Sequence, residues 1–73
     1  MKMAKEVRAQ LTGNVWKIVA KVGDRVSEGQ ALVILESMKM EIPVEAEFEA
    51  QVVEIRVQEG QAISEGDLVA ILG

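Results

Sequence analysis

Residues 13–36 read GNVWKIVAKVGDRVSEGQALVILE, and residues 50–73 read AQVVEIRVQEGQAISEGDLVAILG. The second stretch lies on the first at an offset of 37 residues without a gap. Eight of the 24 aligned positions are identical: Val15/Val52, Ile18/Ile55, Gly23/Gly60, Ser27/Ser64, Glu28/Glu65, Gly29/Gly66, Ile34/Ile71 and Leu35/Leu72. Val26/Ile63 and Leu32/Val69 are conservative pairs. The offset is about half of the 73-residue chain. A repeat of this kind predicts two equivalent halves that build one domain, residues 1–73, about a pseudo-twofold axis. No Gly/Ser or Pro-rich linker separates them.

Each half reads as β structure. Trp16, Ile18 and Ala20 alternate with Lys17 and Lys21, and Val53, Ile55 and Val57 alternate with Glu54, Arg56 and Gln58. A period of two marks a strand with one buried face, so Trp16 is expected inside with Ile18 and Ala20. Residues 31–35 and 68–72 are apolar on both faces and too short for a globular helix, which predicts buried strands. Gly23-Asp24, Gly60-Gln61, Glu28-Gly29 and Glu65-Gly66 supply turns, and this makes Ser27 and Ser64 turn residues rather than nucleophiles. Pro43 cannot donate to a central ladder and belongs on a sheet edge or at a bulge. Phe48 is expected to plug one end of the core. No helical pattern exceeds two turns. The result is an all-β chain of six to eight short strands, a sandwich or flattened barrel.

Composition removes several function classes. The chain has 12 acidic and 8 basic side chains, a net charge of −4, and no His or Cys. Disulfide and zinc staples are therefore excluded. So are Ser-His and Cys-His nucleophilic pairs and the commonest general acid/base. The acidic balance opposes phosphate backbones, and Trp16 and Phe48 are too few for a base-stacking platform; no nucleic-acid partner is expected. No apolar run exceeds five residues, far short of a membrane span. The N-terminal Met1-Lys2-Met3-Ala4-Lys5-Glu6 has no apolar stretch of the secretory kind, so a cytoplasmic location is expected. Charge is uneven along the chain. Residues 1–25 carry six basic and two acidic side chains, whereas residues 26–73 carry two basic and ten acidic. This reads either as solvated faces of interleaved strands or as an acidic surface that steers a basic partner.

Between the repeats runs Leu35-Glu36-Ser37-Met38-Lys39-Met40-Glu41-Ile42-Pro43. One strand enters and another leaves, yet the bend holds no Gly, Asn or Asp. Favoured two-residue hairpins need φ > 0 at both central residues. With Met38 and Lys39 at the bend, the backbone stores about 1–3 kcal/mol per strained residue. That register also sets Glu36 against Glu41, a destabilising like-charge pair. Local rules fail several times at one place, as they do at functional sites. A surface turn with a solubilising lysine is the plain alternative. A self-activating lysine needs burial or neighbouring cations, whereas Lys39 is flanked by carboxylates, so another protein would have to deprotonate it and react with it.

Glu36-Ser37-Met38-Lys39-Met40-Glu41 resembles the attachment site of the biotin/lipoyl attachment domain family, whose hallmark is a lysine between two methionines. The resemblance extends over nearly the whole chain: Gly13-Asn14-Val15-Trp16-Lys17, Val22-Gly23-Asp24, Ser27-Glu28-Gly29, the lysine hairpin, and the mirrored Glu59-Gly60 and Ser64-Glu65-Gly66. It is strongest to small free-standing members of the biotin carboxyl carrier type. It implies a barrel-sandwich hybrid of two four-stranded antiparallel sheets, with the lysine at an exposed tip and the termini together at the opposite end. It further implies that a biotin protein ligase activates biotin as an acyl-adenylate and joins it to Lys39 by an amide. The biotin would then take up a carboxyl group at a biotin carboxylase site and deliver it at a carboxyltransferase site. The chain itself would be a carrier and no enzyme, a monomer on its own. Met38, Met40, Glu36 and Glu41 would be read by the ligase, the methionines as flexible apolar contacts.

Three departures from the family pattern stand out. Ser37 replaces a common Ala, which keeps a small residue. Glu49-Ala50 replaces a glycine-containing turn and predicts a different turn over residues 47–51. The gapless repeat leaves no room for the "thumb" insertion of some carboxylase carriers. Two other readings remain open from sequence. One is a lipoyl carrier modified with lipoate at the same lysine, although lipoyl domains typically place Asp before it and Ala after it. The other is an unmodified β-sandwich interaction module.

Overall fold

The computed structural model describes residues 4–73. Met1-Lys2-Met3, part of the segment read above for a secretory signal, lies outside the described residues. Eight strands follow in order: β1 Lys5–Arg8, β2 Gly13–Ile18, β3 Arg25–Val26, β4 Ala31–Ser37, β5 Met40–Glu45, β6 Ala50–Ile55, β7 Ala62–Ile63 and β8 Leu68–Leu72. No helix occurs among the described residues. The strands form two four-stranded sheets, β1-β8-β6-β3 and β5-β4-β2-β7, and all pairings are antiparallel.

The 37-residue offset carries β1 to β5, β2 to β6, β3 to β7 and β4 to β8, and so carries one sheet onto the other. Each sheet takes two strands from each half of the sequence. The uneven charge along the chain therefore does not become one basic and one acidic face; the strands interleave it.

Four glycine turns repeat one design. In turns 21–24, 27–30, 58–61 and 64–67 the fourth residue returns its N–H to the carbonyl of the first, at 3.0–3.1 Å. Its side chain also accepts from the first residue's N–H: Lys21 N to Asp24 Oδ2, Ser27 N to Gln30 Oε1, Gln58 N to Gln61 Oε1 and Ser64 N to Asp67 Oδ2. The glycine amides then bond across the duplication. Gly23 N donates to Val52 O and Gly60 N to Val15 O; Gly29 N donates to Ala46 O and Gly66 N to Ala9 O, all at 2.7–2.8 Å. These four bonds stitch each half to the other.

The core lies between the sheets and is built from small and branched aliphatics: Val15, Val26, Leu32, Val33, Leu35, Val52, Ile63, Val69, Ala70 and Leu72, among others. The runs over residues 31–35 and 68–72 are buried strands as expected. They share the same pattern of burial, with only their first and fourth residues partly exposed. Pro43 lies on β5, an edge strand.

Two expectations fail. Trp16 is 48% exposed, because a bulge between Val15 and Lys17 breaks the pairing of β2 with β4. Val15 pairs with Leu35 on the inner face, Lys17 already pairs with Ile34, and Trp16 is the unpaired residue turned to solvent. The duplicate does the same: Val52 is buried, Val53 is exposed, and the register of β6 with β8 shifts between Val52 and Glu54. An extra residue in one strand resets the two-residue phase, so Ile18 and Ala20 still point inward. Phe48 does not plug the core either. It is 38% exposed and stands at a shallow hollow beside Lys5, Glu6, Val7 and Glu47. The chain bends over residues 47–49 before Ala50, which is buried and opens β6.

The lysine hairpin and the ends of the described chain stand at opposite ends of a body 40 Å long and 18 × 17 Å across. Asn14, at the start of β2, pairs with Glu36 near the hairpin. The far end of β2 runs into turn 21–24, which bonds to Val52, the partner of terminal Leu72. Leu72 in turn pairs with Lys5, so the two ends of the described chain are neighbours.

Candidate functional site

Strands β4 and β5 close on a two-residue turn, with Ser37 against Met40 and Glu36 against Glu41. The bend residues are Met38 (φ 54°) and Lys39 (φ 66°), and no other non-glycine residue among those described has positive φ. Two positive φ values at the central residues make the primed turn whose twist matches that of the flanking strands. The geometry forces the conformation; the side chains do not favour it. Left-handed backbone costs about 1–2 kcal/mol for an ordinary residue. The hairpin is long and well paired, over six registered positions from Ala31↔Glu45 to Ser37↔Met40, and that pairing holds the strained turn.

The tip is stripped of shielding. Met38 is 92% exposed and Met40 62%; Glu36, Lys39 and Glu41 are exposed as well. Among the described residues, no ion pair or side-chain hydrogen bond engages the Lys39 ammonium. The site residues expected from the sequence are therefore gathered within one turn and its flanks. Glu36 and Glu41 are directly opposed, as their spacing required. What the tip can do chemically is present a primary amine to another macromolecule, with two flexible thioethers beside it and two carboxylates below.

One contributor escaped the sequence reading. Gly13, at the start of β2, supports the base of the hairpin: a Cβ placed there would lie 2.6 Å from Glu36 O and 3.3 Å from Ser37 Cβ. The duplicate has Ala50 at this position. The available signal was that Gly13 is the one glycine of residues 13–36 outside the turn signals at 23–24 and 28–29. A flank cleft of about 530 Å³ between edge strands β1 and β5 is lined by Val7, Leu11, Ile42, Pro43 and Val44, with Leu35 at its floor. Neither Met38, Lys39 nor Met40 lines it, so it adds no group to the tip.

Known proteins are similar to this chain in sequence and in shape. A family described as "Biotin-requiring enzyme" matches residues 11–72. The chain is 46% identical over 63 residues to the biotin/lipoyl attachment protein of Bacillus subtilis (strain 168), covering 86% of each. It is 44% identical over 70 residues to the biotinylated protein TB7.3 homolog of Mycobacterium leprae (strain TN), covering 96% of this chain and 99% of that one. Among solved structures, the Kluyveromyces lactis urea carboxylase superposes on all of this chain with a TM-score of 0.93 at 37% identity, over 6% of its own length.

Proposed function

The chain belongs to the biotin-requiring enzyme family, and on that premise we propose that Lys39 is the residue on which it carries biotin. It is a biotin carboxyl carrier domain. Bound biotin supplies a nitrogen that accepts a carboxyl group at one active site and gives it up at another. The chain's own residues do something simpler. They hold a primary amine at the end of a rigid hairpin, free of any counter-ion in its described surroundings, where a ligase can reach it. The observation that carries this reading is the Met38-Lys39 turn, held in left-handed backbone by the paired strands beneath it.

A biotin protein ligase provides the base and the activated acyl group. Met38 and Met40 offer it adaptable apolar contacts, while Glu36 and Glu41 keep the tip hydrated and favour a basic docking surface. Biotin carboxylase and carboxyltransferase sites are the later partners. Tethering replaces a bimolecular encounter at each by a high effective concentration. The domain works as a monomer. Its sheet edges support this: β3 and β7 are two residues long, β5 carries Pro43, and β1 carries Lys5, Glu6 and Arg8. Short, charged or proline-bearing edges resist strand addition.

Expression with excess biotin is expected to add the mass of one biotinyl group to the intact chain, and Lys39→Arg to abolish the addition at an unchanged melting temperature. Incorporation of lipoate with no biotin would overturn this assignment.

A further inference from the structure

We propose that the outer face of the hairpin-bearing sheet, centred on Trp16, is the surface on which the biotin-attaching ligase docks. The proposal rests on the assignment of Lys39 above.

A duplicated fold serves as its own control. Trp16 and Lys17 stand opposite Ile34 on β4, and Ile34 stands opposite Pro43 on β5. The equivalent row on the other sheet is Val53 and Glu54, Ile71, and Glu6. Backbone, bulge and register are shared, so folding does not demand the differences. On the second sheet the row is polar at both ends and closed by ion pairs: Arg56 to Glu54 at 3.1 Å and Arg8 to Glu6 at 2.7 Å. On the hairpin sheet both carboxylates are gone. Lys17 keeps a charge, of opposite sign, where Glu54 stands, and beside it a half-exposed indole, a partly buried Ile34 and an exposed Pro43 run across the sheet.

The place and the charge of this row identify its occupant. Ile34 lies four residues before Met38, about 14 Å along the strand at ~3.4 Å per residue. A protein that grips the Lys39 amine therefore already overhangs the row. Glu36 and Glu41 lie between the row and the tip. Glu45 follows on β5, and Glu59 accepts from Ile18 N at 3.0 Å beyond Trp16. The complementary partner surface has an apolar recess for the indole, an acceptor for Lys17 beside it, and Arg or Lys along the side that faces Glu36 and Glu41. Indoles set in such recesses are common binding hot spots, and opposite charge around them speeds encounter.

The test is steady-state biotinylation of the apo chain by purified ligase with ATP and biotin. Trp16→Val installs the residue that the fold already uses at the duplicate position, so the domain stays folded. It is expected to raise KM at least tenfold with kcat and melting temperature kept. Glu36→Gln with Glu41→Gln is expected to flatten the salt dependence of kcat/KM, and Val53→Ala, on the other sheet, to change neither constant. Equal KM for Trp16→Val and wild type, with wild type efficiently labelled, would overturn the docking face and leave Lys39 as the attachment site. A wild-type dimer that Trp16→Val dissociates at unchanged KM would assign the face to a second copy of the chain, also overturning the proposal. A wild type that the ligase does not label overturns the attachment reading itself.

Discussion

At Gly13 an added methyl group would meet the Glu36 carbonyl oxygen at 2.6 Å, whereas at Gly23, with φ at +96°, it would meet nothing within 4 Å. The two glycines are required for different physical reasons, closeness in one case and backbone conformation in the other. Gly13→Ala is expected to cost about 1–3 kcal/mol through overpacking against immobile backbone, and to slow biotinylation because the displaced strand carries the lysine turn. Gly23→Ala is expected to cost about 1–2 kcal/mol from left-handed backbone alone, with labelling kinetics unchanged. Gly23→Asn recovers much of that loss, since Asn tolerates the conformation; Gly13→Asn recovers none. Thermal melts of the four variants, with labelling rates for the two alanine forms, check the distinction. Met38 and Lys39 have positive φ like Gly23 but lack its freedom, so among the described residues backbone strain is concentrated at the turn proposed to carry biotin.

At the scale of the element, the hairpin was legible in sequence and the strand before it was not. The Met38-Lys39 bend, the facing Glu36 and Glu41 and the buried runs at 31–35 and 68–72 follow from spacing, because alternation and turn length fix register; for Pro43 its missing N–H left an edge or a bulge open, and the structure has it on an edge. The side on which Trp16 lies does not. A bulge inserts one residue, and nothing in the string Val15-Trp16-Lys17 announces it; only the pairing with Leu35 and Ile34 across the sheet does. Phe48, expected to plug one end of the core, sits instead in the bend over residues 47–49, partly exposed beside Lys5, Glu6 and Val7 of edge strand β1. The opposed carboxylates make a second prediction. Glu41→Gln is expected to stabilise the domain by about 0.2–1 kcal/mol by removing a like-charge cross-strand pair. The gain shrinks as salt is added, since exposed charges are screened. Denaturant melts at low and high ionic strength measure both effects.

For the whole molecule, the interleaving of halves decides cooperativity. Each sheet draws two strands from residues before the lysine turn and two from residues after it, and the glycine-turn bonds run between halves in both directions. Neither half can bury its apolar face alone. Two polypeptides covering residues 1–38 and 39–73 are therefore expected to be unfolded when separate, and to regain the β-sheet circular dichroism of the intact chain when mixed. A half that folded alone would contradict the interlocking described above.

The pairing of Lys5 with Leu72 has a consequence for where such a domain can live. Entry and exit of the chain are adjacent strands on the end away from Lys39. A longer polypeptide can thus be spliced on at either side, or at both, without crossing the tip proposed to carry biotin. The same unit is portable: it can be inserted as a cassette into a large multifunctional chain, or travel by itself between separate ones, with the geometry around its lysine unaltered.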